Sequence, residues 1–264
     1  MGAALEKCDC DFGTVCAPGQ RYHPAIIAQA AATLAQMYPD RFWVALGTGE
    51  NVNEHITGEP WPTKQRRQQR LEECVDVIRR LWAGEEVTHD GLVTVDRAKL
   101  YTRPEKPPLI FGAAITDATA EAVGSWADGL LTVAKPPDEL AKTVEAFRRG
   151  GGEGKPMRLQ AAVALDTSER IAEAAVYRRW GVGCLQVGEL QDVATPEEFD
   201  RRVAEHSSQE VSENLRVSTD LNEHIEWIRQ DLSLSFEKVY LHYVGRDIRN
   251  FIQIFGKEVL PKFL

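Results

Sequence analysis

Glu50, in the run Gly47-Thr48-Gly49-Glu50-Asn51-Val52-Asn53-Glu54-His55, is the side chain of this sequence best placed to move a proton. A carboxylate desolvated beside an apolar surface has a raised pKa and can pass a proton to or from a reacting group. Gly47 and Gly49 bracket Thr48, so the backbone can bend sharply and lie close to a ligand. The turn leaves a short apolar run, Phe42 to Leu46, that suits a strand buried on both faces. A polar cluster at the C-terminal end of a parallel strand is where α/β enzymes put their chemistry. The run is not a dinucleotide fingerprint, because the third glycine is missing. It is not a phosphate-binding P-loop, because no Gly-Lys-Ser/Thr follows. The bland alternative for Glu50 is a helix cap or a salt-bridge carboxylate.

Three further strand ends carry candidates. Thr14, Val15 and Cys16 close the first strand, Phe12 to Cys16. Ala113, Ala114, Ile115, Thr116 and Asp117 follow the strand that starts at Leu109, where Thr116 or Asp117 could simply cap the next helix. His242, Gly245 and Arg246 follow the last strand. There a helix N-terminus with an arginine could hold a phosphate, or Arg246 could be a surface arginine beside a turn. His23 reads as a cap on the helix that Pro24 opens.

The elements that must position these residues alternate. Strands are expected over Phe12 to Cys16, Phe42 to Leu46, Leu109 to Ala114, Leu130 to Val133, Leu159 to Leu165 and Val239 to Val244. Helices are expected over Gly2 to Lys7, Pro24 to Met37, Thr63 to Trp82 and Asp117 to Trp126. In the third of these, Leu71, Cys74, Val75, Ile78 and Leu81 follow helical spacing, and Gly84 ends it. Glu86 to Tyr101 reads as a hairpin around Asp90-Gly91, and Gly150 to Gly154 as a flexible break. Alternation implies a parallel sheet with crossover helices, closed or open. With 264 residues, 43% of them hydrophobic, the chain can be one large α/β domain. A net charge of -9 argues against nucleic acid as a partner. No run is long enough to span a membrane, and five scattered cysteines favour reduced thiols in a cytoplasmic protein.

The segment GTGENVNEH resembles the GTGE-x-x-NE signature of the bacterial luciferase-like superfamily, which holds flavin monooxygenases and oxidoreductases that use the deazaflavin F420. The resemblance extends over RQQRLEECVDVIRRLWAGEEVTHDGLVTVDRAKLYTRP, PLIFGAAITDATAEAVGSWADGLLTV and KVYLHYVGRDIRNFIQIFGKEVLP. It is greatest to the non-F420, flavin-type branch, cousins of F420-dependent glucose-6-phosphate dehydrogenase. It implies a single TIM-type (β/α)8 barrel domain over residues 1–264. It implies that Thr14 and Val15 line the cofactor ring, at a pair that can carry a non-proline cis peptide in the family. It places Thr48, Gly49, Glu50 and Asn53 against the ring and its ribityl chain, and assigns the Glu50 position an acid/base role. Ala113, Ala114, Ile115 and Thr116 fall on a loop that is glycine-rich in F420 enzymes. Ile115 cannot take a glycine-like φ cheaply, and Asp117 would repel a phosphate. FMN is therefore expected over F420, with a flavin-dependent oxidoreductase or monooxygenase as the activity. The alternatives are an F420-dependent dehydrogenase and a non-catalytic flavin-binding protein. A flavin reductase is the expected supplier of reduced flavin, the substrate is a small organic molecule, and a homodimer is expected by family analogy.

Against the family pattern the sequence is expected to start within the second helix and to lack the first two barrel strands, through a start assigned too late or as a genuine fragment. Two open sheet edges are the consequence, and they predict poor stability, aggregation or obligate oligomerisation.

Overall fold

The computed structural model describes residues 1–185, 187–213 and 215–263. The chain begins with α1 (Gly2–Lys7), β1 (Phe12–Cys16), α2 (Pro24–Met37), β2 (Phe42–Leu46), the single turn α3 (Asn51–Glu54) and α4 (Lys64–Ala83). The hairpin β3 (Val87–Asp90) and β4 (Thr94–Ala98) follows, then β5 (Ile110–Ala113), α5 (Asp117–Gly124), β6 (Gly129–Val133), α6 (Pro137–Phe147) and β7 (Met157–Ala164). An excursion of α7 (Glu169–Trp180), α8 (Val187–Asp192), α9 (Pro196–Val203), α10 (Ser208–Glu213), β8 (Arg216–Val217) and α11 (Leu221–Ser233) precedes β9 (Lys238–Tyr243) and α12 (Ile248–Ile254).

Seven strands form one parallel sheet in the order β1-β2-β5-β6-β7-β8, with β9 also on β7. The sheet curls into a half-barrel. Alternation along each strand sorts the side chains. Phe42, Val44 and Leu46 of β2 pack outward with α2 and α4, while Trp43 and Ala45 point inward and meet Phe111 and Leu131. All five residues of β2 are buried, as its unbroken apolar run requires. The helices end where the sequence says they should. Thr63 Oγ1 caps α4 by accepting from the Arg66 amide, a contact worth about 1 kcal/mol, and Gly84 terminates it at φ +93°. His23 Nδ1 accepts from the Ala25 amide at the head of α2.

The N-terminal end of the half-barrel is plugged by charge. Arg158 on β7 is 6% exposed and lies over the rings of Trp43 and Phe111 at 4.6 and 4.3 Å. Its Nε donates to Glu237 at 2.7 Å, and Asp11 lies 3.6 Å away. Lys238 reaches the same Asp11 at 2.6 Å, which ties the start of β9 to the start of β1. Burial pushes the Asp11 carboxyl up, but Lys238 and Arg158 outweigh it and its pKa is lowered. Among the described residues β1, β8 and β9 each pair with one strand of the sheet, so the described sheet does not close on itself.

Two expectations need correction. Gly150 to Gly154 is not simply a flexible break. A wide helical turn over Arg148–Gly152 continues α6 and packs Gly150 directly on the backbone of α5. The interval between Leu165 and Val239, to which the sequence reading assigns no element, holds the five helices and the two-residue β8 named above.

Candidate functional site

The C-terminal ends of β1, β2, β5, β6 and β7 open into one cleft of about 330 Å3. It brings together Val15, Thr48, Gly49, Glu50, Asn53, Ala113, Ala114, Ile115 and Thr116, nine of the residues singled out from the sequence. Thr14 does not line it. Side chains alternate along β1, so Thr14 turns away while Val15, 58% exposed, faces the opening. Every peptide bond among the described residues is trans, including those around Thr14 and Val15.

Gly49 adopts φ +80°, the left-handed conformation that glycine takes without strain. A Cβ there would lie 3.0 Å from Ala17 Cβ and 3.1 Å from Glu54 Cγ, so the turn is also tightly packed. Two carboxylates flank it and have different fates. Glu54, 1% exposed, accepts from the Arg21 amide at 3.0 Å and faces Arg21 Nε at 3.6 Å. Its backbone carbonyl accepts from Gln20, whose Oε1 in turn accepts from Arg70. Glu54 thus pins the loop after β1 to α3 and α4. Glu50 stands at the head of α3 yet caps nothing with its side chain. Its one contact is from Asn53 Nδ2 at 3.4 Å, and no cation pairs with it among the described residues. Protein atoms around the cleft push its pKa up by desolvation, although the residue is exposed to solvent. Among the described residues the Glu50 side chain therefore neither caps the helix nor pairs with a cation, and it lines the cleft.

The loop after β5 is held from below. Thr116 Oγ1 caps α5 by accepting from the Thr119 amide. Ile115 has no positive φ, so a β-branched residue is unstrained there. Its carbonyl accepts from Lys135 Nζ. Lys135 also donates to Thr143 Oγ1 at 2.9 Å, and Thr143 donates to Asp117 at 2.7 Å. Burial lowers the Lys135 pKa, opposed by Asp117 and Glu139. The Asp117 charge is thereby compensated by Lys135. Both physical objections to a cofactor with an anionic tail near this loop lose their force.

The cleft contains residues that the sequence did not single out. Thr132 Oγ1 is buried with no hydrogen-bond partner among the described residues, on a side chain that lines the cleft. Gln160 projects from β7 and meets His242 Nδ1 at 3.3 Å. Gln191 of α8 reaches the rim and is held by Arg67 at 3.2 Å. Burial first and the Glu54 charge second push the Cys16 thiol up to about 11, which disfavours its thiolate form.

Arg246 lies outside the cleft. Its guanidinium donates to both oxygens of Asp166 at 2.9 and 3.0 Å. The following helix, α12, is capped by Asp247, whose carboxylate accepts from the Asn250 amide. An acid occupies the helix start where a phosphate was expected, so that arrangement is not formed.

A flat, partly apolar ring fits what is present. Val15, Ala113 and Leu131 offer apolar contact, Thr48, Asn53, Thr132 and Gln160 offer polar edges, and Gly47 and Gly49 allow close backbone approach.

Comparison with known proteins agrees with this geometry. A model of the luciferase-like monooxygenase family matches residues 9–233. The F420-dependent glucose-6-phosphate dehydrogenase of Nakamurella multipartita is 35% identical over 258 residues, covering 94% of this chain and 76% of its own. The F420-dependent hydroxymycolic acid dehydrogenase of Mycobacterium tuberculosis is 33% identical over 261 residues, covering 95% of this chain and 70% of its own. Among solved structures, an F420-dependent secondary alcohol dehydrogenase in complex with an F420-acetone adduct superposes with a TM-score of 0.87. It is 33% identical, over 98% of this chain and 82% of that one.

Proposed function

This chain belongs to the luciferase-like monooxygenase family, an oxidoreductase family, and we propose that it is an F420-dependent dehydrogenase of small alcohols. The observation that carries the reading is Glu50, a carboxylate facing the cleft with a raised pKa and no cation partner among the described residues. The relatives at 33 to 35% identity support the cofactor, since each is named as F420-dependent. The sequence alone favours FMN because of Ile115 and Asp117. That preference loses its basis once Ile115 is seen at ordinary φ and Asp117 beside Lys135.

The residues of the cleft would divide the work. A deazaflavin held in the cleft would supply hydride-transfer chemistry. Val15, Ala113 and Leu131 would seat the ring and exclude water from its face. Thr48, Asn53 and Thr132 would offer hydrogen bonds at its edge. Glu50 would take the hydroxyl proton as the carbinol becomes a carbonyl, and return it in the reverse direction. Gln160 would orient the substrate oxygen from the opposite wall.

The test is turnover by the full chain with oxidised F420 and a panel of secondary alcohols and sugar phosphates. Loss of the deazaflavin visible band, matched mole for mole by carbonyl product, is expected with at least one class. Oxygen uptake with reduced FMN, and no F420 turnover on any alcohol, would instead make the chain a flavin monooxygenase.

A further inference from the structure

A second concave site lies apart from the cleft, on α7. Arg170, Arg178 and Arg179, with Arg246 from the loop after β9, line a groove of about 360 Å3. The sequence explains the shape. Positions 170, 174 and 178, and 171, 175 and 179, recur every four residues and so share one helix face. Ala174 and Ala175 are small and leave room between the arginine stems, and Ile171 makes the floor apolar. Among the described residues no carboxylate lines the groove, although the chain carries 40 Asp and Glu residues and a net charge of -9. Arg170, Arg178 and Arg179 are exposed and have no hydrogen bond or ion pair among the described residues. Arg246 is fixed by its two bonds to Asp166, so its remaining N–H groups point in set directions.

Four like charges lining one groove repel. An oxyanion between them removes the repulsion and meets planar guanidinium forks that match its geometry. The groove also stands at the barrel end that holds the cleft, since α7 follows β7 and Arg246 follows β9. We infer that this groove is a binding site for a phosphate dianion, free or as a monoester, held by Arg170, Arg178, Arg179 and Arg246. The apolar floor of Ile171, Ala174 and Ala175 would contact the organic part of an ester. The site does not depend on the identity of the cofactor in the cleft.

The experiment is calorimetric titration of the full chain with inorganic phosphate and with phenyl phosphate, ionic strength held constant with sodium chloride. Saturable one-to-one binding is expected for both. Tighter binding of the ester would assign the floor to a phosphorylated metabolite, and equal binding would assign the site to the phosphate group alone. R178A and R179A should each weaken binding about tenfold or more. R178K should restore part of it, since it keeps the charge but loses the fork. R149A removes an exposed arginine paired with Glu121 elsewhere and should leave binding unchanged. No saturable binding, or equal weakening by R149A and R178A, would overturn the assignment.

Discussion

Replacing Glu50 by glutamine should lower kcat by about 10²- to 10⁴-fold, the usual worth of a positioned general base, while cofactor affinity changes little. Glutamine keeps the size of the side chain and its contact with Asn53 but cannot accept a proton. The fold should be unaffected, because Glu50 caps no helix with its side chain and pairs with no cation among the described residues. The pH profile gives a second reading. Desolvation raises the Glu50 pKa above the ordinary carboxylate value of 4.5. Alcohol oxidation needs the ionised form, so its rate should fall with decreasing pH through that raised pKa, earlier than an ordinary carboxylate would dictate. E50Q should lose this acid limb. Steady-state kinetics of both proteins across pH decide the matter, and an E50Q variant with wild-type kcat would remove Glu50 from the chemistry.

Gly150→Ala should destabilise the protein by about 3 kcal/mol or more, near the top of the range for overpacking. A Cβ at this position would sit 1.9 Å from the Glu121 carbonyl oxygen and 2.7 Å from its carbon. The obstacle is backbone, so no side chain can swing aside. Gly124 opposes it from α5, where a Cβ would lie 2.5 Å from the Phe147 carbonyl oxygen. The helix and the turn therefore touch main chain to main chain, and one methyl forces them apart. The movement would reach the cleft, because α5 starts at the Thr116 cap. Gly154→Ala is the control. Its φ is +73° but nothing lies within 4 Å, so only the conformational penalty of about 1–2 kcal/mol applies. Thermal melts should place G150A roughly 6–12 °C below the wild type, with G154A between them. A G150A melt at the wild-type temperature would show that α5 and the turn are not in contact.

The parts of this fold visible in the sequence are those fixed by local rules. Phe42 to Leu46 announced a buried strand by its apolar run, and Thr63 and Gly84 announced the ends of α4 by their capping chemistry. The glycine turn and Glu50 were legible because a turn needing φ +80° demands glycine. Other parts depend on neighbours far along the chain. Gly150 reads as a break when its partner Glu121 is unknown. Lys135 looks like any surface lysine until the fold sets it against the Ile115 carbonyl and, through Thr143, beside Asp117. Arg246 was read with a helix N-terminus and found with Asp166 instead. Some signals were present and went unused. Arg158 and Gln160 on β7, and Tyr240 and His242 on β9, alternate with apolar residues, which marks an inward polar face. Thr132 is the one polar side chain in its strand, Gly129–Val133.

The most direct measurement is a fluorescence titration of the purified chain with F420 and, in parallel, with FMN. The F420 reading predicts saturable F420 binding with FMN much weaker, and weaker F420 binding in T132V, which removes a buried hydroxyl of the cleft that has no partner among the described residues. FMN binding with no response to F420 would contradict the assignment and restore the flavin reading that Ile115 and Asp117 first suggested.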